Sequence, residues 1–268
     1  KGIHLKKHHL TLLEKELGIS GSLQERIDRA IEAPVSRYRV PENLKATLRS
    51  YQQFGFQWLT HLYHQNLNGC LADDMGLGKT LQTIALLASD EIVPKSGNSN
   101  GSSNGNTTAV SNQLSLFSQE PGNENSVASS ATTLIIMPTS LIHNWRNEIN
   151  RFAPHLTTLV YAGIQRARLV SKIKEYDIVL STYGVVRNDI DKLNNFTFNY
   201  LILDESQLIK NPGSKTYQAL LTLKSRRRLV LSGTPVENSL TDLWAQLNFL
   251  NRGVLGSLPF FKQQFIRH

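Results

Sequence analysis

From Leu67 onward, short apolar runs alternate with stretches patterned at helical spacing, and this rhythm constrains the fold more than any other feature of the chain. Gly69 to Ala72, Leu134 to Met137, Leu159 to Tyr161, Ile178 to Ser181, Tyr200 to Leu203 and Leu229 to Leu231 are continuous rather than alternating. Continuity of that kind marks strands buried on both faces, as in parallel sheets. Between them, Leu81, Ile84, Ala85 and Ala88 fall at i, i+3, i+4 and i+7, and Trp145, Ile149 and Phe152 share a second helical face. Strand and helix in alternation predict an α/β fold, a three-layer sandwich around a mostly parallel sheet.

Two segments depart from the rhythm. Residues 1 to 45 are charge-rich and read as short helices, one from Leu10 to Leu17 stopped by Gly18 and another from Ser22 to Ala33 stopped by Pro34, with Ser22 and Glu25 as a capping box. Residues 95 to 131 are dominated by Ser, Asn and Gly and read as a flexible surface insertion without catalytic residues. Residues 46 to 250 then form one lobe.

The composition, 40% hydrophobic and 19% charged, is that of a soluble globular protein, and no run approaches the 18 or so apolar residues of a membrane helix. Cys70 stands alone, which excludes an internal disulfide and fits a reducing, intracellular compartment. The opening Lys1-Gly2-Ile3-His4 is followed by no secretory signal, and without an initiator Met it reads as an excised piece. Eight histidines show neither an HExxH pattern nor paired Cys/His spacing, so no protein-held transition metal is indicated. A formal net charge of +8 favours polyanionic partners, without distinguishing DNA, RNA and lipid.

The chemistry begins at Asp73-Asp74-Met75-Gly76-Leu77-Gly78-Lys79-Thr80, between a candidate strand and the first amphipathic helix. A loop feeding a helix points backbone N–H groups at one spot, and glycines let phosphate oxygens come close. Lys79 can then reach β and γ phosphates, and the Thr80 hydroxyl suits Mg²⁺. The strict P-loop pattern wants glycine where this chain has Asp73. Downstream, the apolar run Tyr200 to Leu203 delivers Asp204 and Glu205 at its C-terminal end, where ligands bind in open α/β sheets. Asp204 can hold Mg²⁺ through water, and Glu205 can polarise the attacking water.

Taken in order, these residues resemble the Swi/Snf family of helicase superfamily two, over roughly Val40 to the end. The resemblance implies a RecA-like fold for the lobe and a prokaryotic member of the family, in cytoplasm or nucleoid. Leu48 to Gln52 with Gly55, Trp58 and Leu59 is similar to the family's adenine-recognition segment, which makes Gln52 the adenine reader; Ser50 stands where proline is common. Asp74, Met75, Gly76, Leu77, Gly78, Lys79 and Thr80 resemble motif I, the ATP-binding loop. Met137-Pro138-Thr139-Ser140-Leu141 with Asn144-Trp145 resembles motif Ia, and Ser181-Thr182-Tyr183 motif Ib, which implies phosphate-backbone contacts to DNA from Pro138, Thr139, Ser140, Asn144, Ser181 and Thr182. Asp204-Glu205-Ser206-Gln207 matches motif II with Ser206 in place of alanine or glycine. Leu231 to Asn238 resembles motif III, whose Ser232, Gly233 and Thr234 couple nucleotide state to the DNA surface.

The resemblance implies ATP and Mg²⁺ as ligands, Lys79, Asp204 and Glu205 as catalytic residues, and double-stranded DNA as partner. It also implies a second RecA-like lobe beyond His268, to which residues 251 to 268 begin the connection. The function expected is DNA-dependent ATP hydrolysis, with translocation along duplex DNA that displaces or remodels bound proteins, and the chain alone should hydrolyse ATP hardly at all. Two other readings stay open: an unwinding DNA or RNA helicase, and a nucleotide-dependent docking module without catalysis. Arg226, Arg227 and Arg228 read as a solvated edge in front of a strand, and Trp58 and Trp145 as packing residues.

Overall fold

The computed structural model describes residues 37–89, 92, 132–233 and 240–266. The expected helices before residue 37 and the insertion at 95–131 lie outside the described residues. Six strands form one sheet in the order β1-β6-β5-β2-β4-β3. They are β1 (Gly69–Leu71), β2 (Thr133–Met137), β3 (Thr158–Val160), β4 (Ile178–Thr182), β5 (Thr197–Leu203) and β6 (Lys224–Leu231). Every pairing is parallel.

Side chains alternate across the sheet, so each strand feeds two cores. Leu134, Ile136, Leu201 and Leu203 enter one, while Ile135, Met137, Tyr200 and Ile202 enter the other. The second core is closed by α1 (Ser50–His64), α2 (Lys79–Leu87) and α3 (Ile142–Phe152), through Phe56, Leu59, Ile84, Trp145 and Ile149. On the first lie α4 (Tyr183–Asn188), α5 (Ile190–Leu193), α6 (Lys215–Thr222), α7 (Leu240–Leu250) and α8 (Leu258–Phe265), which contribute Val186, Leu193, Leu220, Phe249 and Phe261. The result is a three-layer α/β sandwich. Caps set several helix starts: the hydroxyls of Thr182, Ser214 and Ser257 accept from Val185 N, Tyr217 N and Phe260 N.

The stretch before α1 is part of this packing. Leu44 is buried, Lys45 N donates to Phe152 O at 2.7 Å, and the Tyr38 ring stacks on His64. None of the described helices is long and apolar enough to cross a membrane.

Two elements differ from the sequence expectation. β6 begins at Lys224, so Arg226, Arg227 and Arg228 lie within the strand, with Arg227 and Arg228 opposite Tyr200 and Leu201. The guanidinium of Arg228 donates to Leu223 O and Phe249 O and lies over the Phe249 ring, which ties strand to helix. Burial, and then the charge of Arg252, lower its pKa. The second is a run of 3₁₀ turns over Ile164–Glu175 that leads into β4 and buries Ile173 alone; its sequence carries neither helical nor strand period.

Candidate functional site

Because all six strands are parallel, their C-terminal ends share one edge, and the loops after β1, β2, β5 and β6 meet there. Between β1 and α2, Gly76 and Gly78 adopt φ of +82° and +78°. That left-handed backbone turns the loop sharply into the helix, and glycine adopts it without the penalty a Cβ would bring. Lys79 folds its ammonium back over the loop, donating to Asp73 O at 2.7 Å and Asp74 O at 3.0 Å. Asp73, where the strict pattern wants glycine, accepts from Gln82 Nε2 at 3.0 Å, so its carboxylate ties the start of the loop to the second turn of α2.

Gln52 reaches the same loop from α1. It is buried; its Oε1 accepts from Arg49 N at 3.0 Å and its Nε2 donates to Leu77 O at 3.3 Å. A primary amide has two donor hydrogens and two acceptor lone pairs, so one of each remains for a ligand. Gly78 permits this approach: a Cβ there would lie 2.5 Å from Gln52 Nε2.

Opposite the loop, β5 ends in the carboxylate pair. Asp204 is buried, and its Oδ2 accepts from Trp145 Nε1 at 2.7 Å and its Oδ1 from Glu205 N at 2.9 Å. Burial raises its pKa; the bonds from Trp145 and Glu205 N act against that, the Glu205 charge with it, and the Lys79 charge against it. Glu205 has φ +52°, a left-handed conformation uncommon for a residue with a Cβ, so the strand ends in a strained turn. Tyr183 OH, donating to Asp204 O at 2.7 Å, braces that turn from α4. Gln207 Nε2 donates to Glu205 Oε2, and the buried Ser206 donates to Gln246 Oε1 at 2.7 Å on α7. Replacing alanine or glycine with Ser206 therefore adds a hydrogen bond between the carboxylate turn and a helix of the other layer.

Loop, α3 and β5 enclose a cleft of about 360 Å³ lined by Met75, Gly76, Gly78, Lys79, Thr80, Leu141, Asn144, Trp145, Glu148, Asp204 and Glu205. Its volume falls in the range of small-molecule sites. Of the residues expected from sequence, Met75, Gly76, Gly78, Lys79, Thr80, Asp204 and Glu205 line this cleft; Asp74 and Leu77 of the loop do not, and Gln52 stands one hydrogen bond behind the loop. Among the described residues no three His, Cys, Asp or Glu side chains are grouped to hold a metal ion. Thr80 and Asp204 offer hard oxygen donors, a set that fits Mg²⁺, which takes one or two protein oxygens and completes its shell with phosphate and water.

The expected DNA residues divide. Thr139 and Ser140 are exposed in a turn after β2, with Pro138 half-buried before them. Asn144 is exposed on the cleft wall, and its Nδ2 donates to Glu148 Oε1 at 2.9 Å. Ser181 and Thr182 are turned inward: the Ser181 hydroxyl donates to Tyr161 O at 2.9 Å, and Thr182 caps α4. Their side chains are spent inside the lobe and are not presented to a nucleic-acid surface. Of the coupling residues, Ser232 is buried with its N–H on Leu71 O, and a Cβ on Gly233 would lie 2.9 Å from Met75 Cγ, so the end of β6 packs on the loop. Thr234 lies outside the described residues.

Sequence reasoning misses three contributors. Trp145 is the core residue expected, 1% exposed, yet its indole N–H bonds the site carboxylate; the signal is the polar handle that a buried tryptophan must satisfy. Glu148 lines the cleft with its pKa raised by burial, the bond from Asn144 and the Arg151 charge opposing and the Asp204 charge adding. Its spacing from Asn144 and Trp145, four and three residues, puts all three on one helix face. Tyr183 falls in a motif that by itself gives it no role.

Comparison with known proteins agrees with this geometry. The SNF2-related domain family matches residues 51–268. TATA-binding protein-associated factor mot1 of Schizosaccharomyces pombe is 38% identical over 235 residues, 87% of this chain and 11% of that protein. The putative ATP-dependent helicase/translocase YwqA of Bacillus subtilis is 35% identical over 232 residues, 85% of this chain and 22% of that protein. Among solved structures, the Sulfolobus solfataricus SWI2/SNF2 ATPase core in complex with dsDNA superposes with a TM-score of 0.66 at 36% identity, covering 85% of this chain and 41% of that one. The chain spans about a tenth of the length of the fungal relative. Relatives of similar identity come from a fungus, a bacterium and an archaeon, so the expectation of a prokaryotic source is not supported. A parallel α/β lobe with a glycine loop facing a carboxylate pair, matched by one family over most of its length, belongs to the SNF2-related domain family.

Proposed function

We propose that this chain is the ATP-binding lobe of an intracellular DNA-dependent ATPase whose complete form translocates along duplex DNA and displaces proteins bound there. The observation that carries the reading is the single cleft in which the Lys79 loop faces the Asp204-Glu205 turn.

Within it, the loop N–H groups and Lys79 bind and orient the triphosphate, and Gln52 meets the adenine edge with its spare donor and acceptor. Thr80 and Asp204 would hold Mg²⁺, which when bound would neutralise charge on the triphosphate. Glu205 accepts a proton from the attacking water and sets its line of approach. Thr139, Ser140 and Asn144 supply DNA contacts, with Pro138 shaping that turn and Ser181 and Thr182 acting through the backbone they hold. Ser232, Gly233 and Thr234 couple the loop to that surface, with Gly233 against Met75 the contact that supports this role. Residues 46–250 make up most of the lobe, with Tyr38 and Leu44 packing on it from before and Phe261 from after.

The archaeal ATPase core is in complex with duplex DNA, and the fungal relative is named as a factor associated with TATA-binding protein; both support a nucleoprotein target. Measuring ATP hydrolysis by the full-length protein with and without duplex DNA tests the proposal. Duplex should stimulate turnover more than single strands or RNA. Lys79→Ala should lose nucleotide binding and turnover together, whereas Glu205→Gln should keep binding and lose at least about 10²-fold in rate. Full turnover in Glu205→Gln overturns the catalytic assignment.

A further inference from the structure

Trp145, on α3, is 1% exposed in the core, a setting that a purely apolar ring would also fill. Its indole carries a donor and no acceptor, and that donor must find a partner. The partner is Asp204 Oδ2, at 2.7 Å and 59 residues away in sequence. The other oxygen, Oδ1, accepts from Glu205 N at 2.9 Å. One donor comes from the backbone of the turn and the other from a different element, and together they define the plane of the carboxylate. With only the backbone bond, the group could turn about its Cβ–Cγ bond; with both, its remaining lone pairs have one direction.

We propose that Trp145 is a positioning residue for the cation site: by holding Oδ2 from the α3 wall, it fixes the direction of the free lone pairs of Asp204 and so raises the protein's affinity for the Mg²⁺ that accompanies ATP. This rests on the reading of Asp204 as the cation's carboxylate. The packing of α3 supports a role beyond core filling. Asn144 and Glu148, on the same helix face, line the cleft as Trp145 does, so this helix is the wall against which the carboxylate is set. A partner that orients a ligating group is commonly worth about 10 to 100-fold in metal affinity or activity.

The test is binding, read on the full-length protein. A fluorescent ATP analogue is titrated at a series of Mg²⁺ concentrations into the wild type, Trp145→Phe, and protein with 3-benzothienylalanine at position 145, an isostere that has sulfur in place of the N–H. Melting temperatures are measured in parallel. The isostere should melt close to the wild type and bind the analogue without Mg²⁺ as the wild type does. The Mg²⁺ concentration that half-maximally tightens binding should rise at least about 10-fold. Trp145→Phe should show the same rise together with a lower melting temperature, and where it fails to fold the isostere alone decides. An isostere with unchanged Mg²⁺ dependence overturns the role of Trp145 and leaves the reading of Asp204 standing. A wild type whose affinity ignores Mg²⁺ overturns both.

Discussion

A side chain at Gly78 would meet two obstacles at once. Its φ of +78° disfavours any Cβ, at a cost of about 1–2 kcal/mol, and the Cβ itself would press on Gln52 Nε2 at 2.5 Å. The first obstacle acts on stability and the second on the site, since Gln52 would have to release Leu77 O. Gly78→Ala should therefore lower unfolding free energy by about 1–2 kcal/mol in a denaturant titration and weaken binding of an ATP analogue beyond what the lost stability explains. Gly76, with a similar φ of +82° and open space where its Cβ would be, is the control. Gly76→Ala should cost about as much stability with a smaller loss of binding. Equal binding losses in the two variants would show that Gln52 has no part in the site. Residue identity alone marks both glycines as loop formers, but which of them also makes room for a side chain from another helix depends on a contact 26 positions apart in the chain.

Helices α1 and α2 meet with even less tolerance. A Cβ on Gly55 would fall 1.8 Å from Gln82 Oε1, and Gln82 is fully buried with its Nε2 held by Asp73 Oδ2. The amide cannot turn away without giving up the bond that ties the loop to α2. Gly55→Ala should thus destabilise by about 1–3 kcal/mol, the usual cost of overpacking. Shortening the obstacle should restore part of that loss: the double variant Gly55→Ala, Gln82→Ala should be more stable than the sum of the single effects predicts, which a double-mutant cycle measures. Strict additivity would refute the clash. The elements themselves are readable in sequence because period reports burial: Ile84, Ala85 and Ala88, buried as their spacing predicts, announce α2 with Leu81 half-buried at its start, and the continuous runs announce β2, β4 and β5. Period does not report hydrogen-bond partners, so it marks Trp145 as core without its bond to Asp204. Nor does it see buried aliphatic stems, which is why the arginines of β6 read as a solvated edge although Arg228 joins strand to helix. The site is readable to the extent that its groups are contiguous in sequence, as 73–80 and 204–205 are, and unreadable where tertiary packing recruits Glu148 and Tyr183.

For the molecule as a whole, the cleft is one-sided in charge. Among the described residues that line it, Lys79 is the one cation, facing Asp204, Glu205 and Glu148. Phosphoryl transfer spreads negative charge over three equatorial oxygens, and related enzymes meet that charge with an additional arginine worth about 10³ to 10⁵ in rate. Two arginines of this chain are already committed elsewhere: Arg228 to the carbonyls of Leu223 and Phe249, and Arg166 to Asp189 at 2.6 Å. The aligned region covers 41% of the archaeal ATPase core, leaving room in such a core for groups that would complete the site from its other side. The prediction is a separation of binding from turnover. Chain 1–268 alone should bind an ATP analogue measurably and hydrolyse ATP at least about 10³-fold more slowly than the full-length protein with duplex DNA. Adding duplex should barely raise its rate, because among the described residues that line the cleft Lys79 is the one cation. Steady-state phosphate release by the two proteins, with and without duplex, decides the matter: DNA-stimulated turnover by the chain alone at the full-length rate would mean that the cleft already holds everything the reaction requires.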